Sequence, residues 1–164
     1  MGGNDTTRNS MSGSIAAFDR HPAEWAKLMA DPLLVHSAVP EMIRWQTPVM
    51  YQARRATQDY EIAGKIIRQG DKVAMWYISG NRDDTAIIDP DRFIIDRERP
   101  RQHLSFGFGI HRCLGNRLAE MQLRVLWEEI IKMGWKRIEV VGKPVYALSN
   151  LLRAIEHLPV RIHA

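Results

Sequence analysis

The sequence is poor in cysteine: it has one, Cys113, among 164 residues. An internal disulfide is impossible, and a zinc or iron–sulfur site built from several thiolates is excluded. A lone cysteine is a buried apolar residue, a nucleophile or a metal ligand. Long apolar runs are missing too: no stretch approaches the roughly 20 residues that cross a bilayer as a helix. Residues 1–7, Met-Gly-Gly-Asn-Asp-Thr-Thr, have neither the basic nor the apolar region of a signal peptide. The default expectation is a soluble, cytoplasmic protein in a reducing compartment, with no membrane span. Basic clusters are also lacking. The 23 basic and 19 acidic residues leave a net charge of +4, without the patch that nucleic-acid binding needs. This mild excess suits an acidic protein partner or an anionic ligand. No internal repeat or low-complexity segment occurs. What is present is a globular balance, 45% hydrophobic and 26% charged, at the length of one domain.

Periodicity and punctuation divide the chain. Residues 6–18 read as a helix that His21-Pro22 ends. Pro22 starts a short helix through Ala30, and Asp31-Pro32 stops it. A third helix runs from about residue 33 to 45, with a kink or restart expected at Pro40. From 48 to 78 the pattern changes to short β-type runs at 50–53, 60–62 and 73–77, with turns at Ala63-Gly64 and Gln69-Gly70-Asp71. Residues 79–105, punctuated by Pro90 and Pro100, read as a long ordered loop. The longest helix covers 114–133, with Gly134 as its C-cap. The tail, 137–164, alternates in places and is expected to form two or more strands. The fold class is mainly α with small β-sheets, α+β.

The most informative stretch is Phe106-Gly107-Phe108-Gly109-Ile110-His111-Arg112-Cys113-Leu114-Gly115-Asn116-Arg117-Leu118-Ala119. A glycine-punctuated loop leads into a long helix, and the cysteine sits at the junction. A helix N-terminus offers free N–H groups and a positive dipole end, and both favour a thiolate over a thiol. Gly107, Gly109 and Gly115 remove side chains where something bulky could approach the backbone. His111 and Arg112 add donors and positive charge. Such a cysteine is prepared to be an anion facing a large flat ligand or an electrophile.

This stretch resembles the haem-binding signature of the cytochrome P-450 superfamily. The resemblance implies that Cys113 is the axial ligand of the haem iron and that Phe106 packs beside the sulfur. Gly107 and Gly115 belong to the cofactor loop, and His111 binds a haem propionate. The cofactor implied is haem b. Further elements fit the same family. Glu41-Met42-Ile43-Arg44, about seventy residues before the cysteine, resembles its Glu-x-x-Arg element, and the i,i+3 spacing places both charges on one helix face. Pro90-Asp91-Arg92-Phe93 resembles the loop whose basic residue joins that pair, so Arg92 is the expected third member. Gly2-Gly3-Asn4-Asp5-Thr6-Thr7 resembles the oxygen-activation segment, which makes Asp5 and Thr6 the catalytic acid–alcohol pair. Arg54 matches a propionate-binding arginine; Arg55, its neighbour on a strand, would point the other way. His103 is expected near the haem edge or in a structural role.

Along essentially all of its 164 residues the chain resembles soluble bacterial members that hydroxylate medium-chain alkanes and fatty acids at the terminal carbon. That resemblance implies an apolar small-molecule substrate, O₂, and ferredoxin with ferredoxin reductase as electron donors. Two alternatives stay open: a different haem-thiolate enzyme, such as a peroxygenase or isomerase, or a non-catalytic fragment unable to hold haem. Family members are more than twice this long. The expectation is a C-terminal haem-binding portion, from a partial gene or an internal start, with the N-terminal part absent and the fragment alone inactive. Its parts would be a distal-helix remnant (1–18), the Glu-x-x-Arg helix (about 33–45), a β region (48–78), the cysteine loop and following helix (106–134) and C-terminal strands (137–164).

Overall fold

The computed structural model describes residues 3–164. Helix α1 (Asp5–Arg20) ends at His21, which leaves the helical region at φ −126°, ψ 66°. The following proline disfavours α geometry there. Pro22 in turn opens α2 (Pro22–Ala30), where its fixed φ suits the first helical position. The Asp31 carboxylate accepts the Leu33 N–H at 3.0 Å and starts a 3-10 turn, Pro32–Leu34, which runs into α3 (Val35–Gln46). The restart expected at Pro40 does not occur; α3 continues through it. Burial of Ala38, Val39, Met42 and Ile43 around it outweighs the loss of one backbone hydrogen bond, a proline cost of about 3 kcal/mol.

Four two-stranded antiparallel sheets follow. β1 (Tyr51–Arg55) pairs with β4 (Lys72–Trp76), and between them β2 (Tyr60–Ile62) pairs with β3 (Lys65–Ile67). The sequence pattern does not announce β3, which the Ala63-Gly64 turn folds back at φ 49° and 74°. A one-turn helix, α4 (Tyr77–Gly80), leads into the long loop. α5 (Asn116–Lys132) starts two residues later than expected and ends at Gly134, φ 66°. In the tail β5 (Arg137–Val140) pairs with β8 (Val160–His163), and β6 (Val145–Tyr146) with β7 (Ile155–His157).

The core lies among α1, α2, α3 and α5. Phe18 is its aromatic centre, with Trp127 at 4.8 Å and Phe93 at 5.2 Å between ring centroids. Trp127 is fully buried, and its indole N–H donates to Ser14 Oγ at 3.2 Å. α1 reaches α3 closely because residue 13 is glycine: a Cβ there would lie 2.2 Å from Gln46 Oε1. Asn9, also buried, fastens α1 to the tail by accepting the Ile155 N–H at 2.7 Å.

Beneath this core sits a buried ion pair. Arg44 binds Glu41 through two parallel bonds, Nε to Oε2 at 2.7 Å and Nη2 to Oε1 at 2.9 Å. Its remaining donors go to the carbonyls of Asn81, Pro90 and Arg92 at 2.7, 2.8 and 3.0 Å. All five guanidinium N–H groups are thereby used. Glu41 also accepts the Ile94 N–H at 2.9 Å. The third charged member is Arg97, whose Nε donates to Glu41 Oε2 at 2.9 Å. Arg92, expected in that role, is displaced from it: its side chain is exposed and pairs with Asp89, and only its carbonyl enters the cluster. The reason is alternation. Phe93, Ile95 and Arg97 turn inward, and Arg92 has the opposite parity. Replacing Arg97 by Ala is expected to cost about 3 kcal/mol, since it strips a charged partner from a buried carboxylate. Replacing Arg92 by Ala should stay within about 0.5 kcal/mol. Urea unfolding midpoints of the two variants check this ordering.

Candidate functional site

The loop around Cys113 is held by its own backbone. The Gly107 N–H donates to Leu104 O at 2.7 Å, Arg112 N–H to Gly109 O at 3.0 Å, and Cys113 N–H to Phe106 O at 2.8 Å. Gly107 and Gly109 take φ of 71° and 72°, which a side chain would resist. Cys113 is exposed and lies three residues before the first residue of α5. Its sulfur is 3.9 Å from where a Cβ on Gly115 would be, so the glycine keeps the approach to the thiol open.

Cys113 lines a cavity of about 440 Å³. Thr6 and Thr7 of α1 form part of its wall, with Pro48, Val49 and Arg54 from the α3–β1 region. The cysteine loop contributes Phe106 and His111, and α5 contributes Leu118 and Gln122. Thus Thr6, Arg54, Phe106, His111, Cys113 and Gly115, read from sequence, meet around one space. Two expected site residues do not. Asp5 is not in the lining, and its carboxylate lies 3.8 Å from Arg8; one helix position rotates it by about 100° from Thr6. Gly107 is also outside the lining. A Cβ there would come within 3.0 Å of the Tyr77 hydroxyl, so this glycine serves loop packing rather than ligand access. Gly2 lies outside the described residues. Arg54 and Arg55 diverge as neighbours on a strand: Arg54 faces the cavity, and Arg55 donates to Gly70 O at 2.8 Å.

One group missed by the sequence reading is Asn81. It is fully buried between α3 and the cysteine loop and accepts the Leu104 N–H on Oδ1 at 2.6 Å. Nothing in its local sequence marks it, because its partners are 23 to 34 residues away. His103 is a second, half-buried polar neighbour. Its ring packs on Phe106 with centroids 5.6 Å apart, and Nδ1 accepts the Ser105 N–H at 3.3 Å. Burial, then the nearby Arg44, Arg112 and Arg101, push its pKa down to about 4.

A family profile described as Cytochrome P450 matches residues 4–133. Linalool 8-monooxygenase of Pseudomonas putida is 45% identical over 160 residues, covering 98% of this chain and 39% of that protein. Methyl-branched lipid omega-hydroxylase of Mycobacterium bovis is 38% identical over 162 residues, covering 98% of this chain and 37% of that protein. The solved structure of cytochrome P450-153 from Novosphingobium aromaticivorans superposes with a TM-score of 0.95 at 46% identity, covering 99% of this chain and 41% of that one. The chain belongs to the cytochrome P450 family, and its fold is a partial P450 fold. It spans about two fifths of the length of these relatives.

Membership implies haem, and the residues present fit one. Haem needs an axial donor for its iron, hydrogen-bond donors or cations for its two carboxylates and an open cavity between them. Cys113, Arg54 and His111 line one such cavity, and Gly115 leaves the sulfur uncovered.

His103 also makes stability depend on pH. Its folded pKa, about 4, lies below the ordinary 6.5. Between these values the unfolded chain binds a proton that the folded chain refuses. The stability it supports is complete above pH 6.5 and is lost as pH falls toward 4, by up to roughly 1.4 kcal/mol per pH unit. His103→Gln should flatten this part of the profile. Urea unfolding of both proteins across that window measures it, and parallel profiles would remove His103 as the cause.

Proposed function

We propose that residues 1–164 are the C-terminal haem-binding portion of a haem-thiolate monooxygenase and that Cys113 holds the haem iron. The observation that carries this reading is the convergence of Cys113, Arg54 and His111 on one cavity. When bound, haem would supply the activation of O₂ and the transfer of one oxygen atom into a C–H bond, the other leaving as water with two electrons from a redox partner and two protons from solvent. The protein's part is positioning and electrostatics. Cys113 Sγ would donate electron density as a thiolate. Arg54 and His111 would hold the propionates by charge-assisted hydrogen bonds. Thr6, on the α1 wall, would hold a proton at Oγ1, and Asp5, one residue before it and turned toward Arg8 and solvent, would relay a solvent proton to replace it.

Substrate would lie near residues 48–52, of which Pro48, Val49 and Gln52 line the cavity, and near Asn150 and Leu151. A relative named as an omega-hydroxylase of methyl-branched lipids and one named as linalool 8-monooxygenase support hydroxylation of an apolar small molecule. The terminal carbon of a medium-chain alkane or fatty acid is our choice within that class. Arg112 and Arg117, exposed beside Cys113, suit an acidic electron donor such as a ferredoxin served by its reductase. Arg124 is drawn off by Glu128 at 3.4 Å.

In the haem-loaded protein Cys113→Ser should abolish the thiolate-type spectrum of the ferrous CO complex. A serine variant that kept this spectrum would end the ligand assignment. In a chimera that completes the P450 fold around these residues, with electron donors and substrate supplied, Thr6→Ala should retain haem and consume reductant, yet release several-fold more peroxide per product, as loss of a proton-transfer group worth about 10²-fold or more implies. Unchanged coupling of electrons to product would take Thr6 out of the relay.

A further inference from the structure

The buried carboxamide of Asn81 joins three parts of the fold, and its geometry allows one orientation. Its Nδ2 donates to Thr47 Oγ1 and to Ser105 Oγ, both at 2.8 Å. Its Oδ1 accepts the Leu104 N–H at 2.6 Å. The two hydroxyls have already committed their own hydrogens: Thr47 Oγ1 donates to Arg44 O at 2.6 Å, and Ser105 Oγ donates to Ile43 O at 3.0 Å. Each can therefore only accept from residue 81, so the position needs two donors and one acceptor, which asparagine supplies. The backbone carbonyl of the same residue accepts from Arg44 Nη1 at 2.7 Å. Asn81 thus links the ion pair, the left-handed end of α3 at Thr47 and the start of the cysteine loop. From there the path to the thiol is short. The Leu104–Gly107 turn presents Phe106 O, and Phe106 O accepts the Cys113 N–H.

We infer that Asn81 is a positioning residue for Cys113. It fixes where residues 104–106 leave the core and so where the 106–113 loop holds the sulfur against the cavity. Its importance for a bound group rests on the reading of Cys113 as the iron ligand; its hold on the loop does not. Aspartate at 81 has nearly the same shape but the wrong hydrogens. It would set oxygen against two oxygens and bury a charge. The substitution of an isostere is therefore a sharp test of the geometry.

Hydrogen exchange followed by mass spectrometry on the full 164-residue chain reads the loop without haem. In Asn81→Asp, amides in 104–113 should exchange faster by on the order of tenfold or more, while those of α5 from 123 to 130 keep their wild-type rates. Ser105→Ala, which removes one acceptor of the carboxamide and little volume, should accelerate the same segment by a smaller factor. It also answers the question if the aspartate variant fails to fold. In the wild-type protein the two Nδ2 protons of Asn81 should exchange slowly by NMR. Loop rates unchanged in both variants, acceleration spread evenly over α5 and the loop, or rapidly exchanging Nδ2 protons would each overturn the inference. With haem loaded, Asn81→Asp should also convert part of the CO complex from thiolate-type to thiol-type. A failed ligand assignment shows itself in Cys113→Ser and leaves the exchange result standing; an undisturbed loop ends the positioning role and leaves the ligand assignment intact.

Discussion

The structure is organised around a carboxylate and a guanidinium that have no access to water. Glu41 and Arg44 are each essentially fully buried, and charges in that position persist only if every donor and acceptor finds a partner. The surrounding chain supplies those partners. Three carbonyls from residues 81, 90 and 92 and the N–H of Ile94 converge on the pair, and Arg97 adds a second cation. This requirement shapes the long irregular segment between β4 and the cysteine loop. The segment has little regular structure, so its carbonyls are free to be collected by arginines. Arg97 alone donates to the carbonyls of Ile88, Asp89 and Arg92. A loop of this length would ordinarily be mobile; here its backbone is the solvation shell of an ion pair.

The site follows from that arrangement at one remove. Arg44 Nη1 fixes the Asn81 carbonyl, and the side chain of Asn81 meets the loop that carries Cys113. Thr47 stands on the same network in a left-handed conformation that costs a β-branched residue of order 1–3 kcal/mol. Two hydrogen bonds through its hydroxyl oppose that cost, and Pro48 then turns the chain toward β1, where Arg54 reaches the cavity. Arg82 closes the outer side. It lies over the Trp45 ring at 4.0 Å from the centroid and donates to Pro90 O at 2.7 Å. Burial and then the neighbouring Arg44 lower its pKa to about 10, so it stays charged at neutral pH. On the opposite wall α1 sits close to α3 because Gly13 leaves room for Gln46. Cation, thiol and alcohol come from three separate elements, β1, the cysteine loop and α1.

Much of this was legible beforehand. Proline and glycine punctuation located α1, α2, α3 and α5 within about two residues, because these residue types act through local backbone geometry. The Glu41–Arg44 pair was legible from its resemblance to the family's Glu-x-x-Arg element, and the cavity-lining positions of Cys113, His111, Phe106, Arg54 and Thr6 from the other family motifs. The errors share a cause. Arg92 and Arg97 are both plausible by spacing, and alternation with Phe93 and Ile95 distinguishes them only once those two are known to be buried. Gly107 was read as ligand access because the partner it makes room for, Tyr77, is 30 positions away. Asp5 is no such error: it faces Arg8 and solvent while Thr6 faces the cavity, as adjacent helical positions about 100° apart do.

The sequence by itself determined the local geometry, the family and the residue types that chemistry on a thiolate requires. These are properties of short windows, where φ preference, helix period and motif spacing act within a few bonds. The tertiary structure alone decided which arginine completes the ion pair, that α3 runs unbroken through Pro40, and that Asn81 ties Arg44 to the cysteine loop. Each depends on which groups lose water together. Desolvation is a property of the assembled core, and a buried donor takes the acceptor that packing brings to it, however far away in the chain.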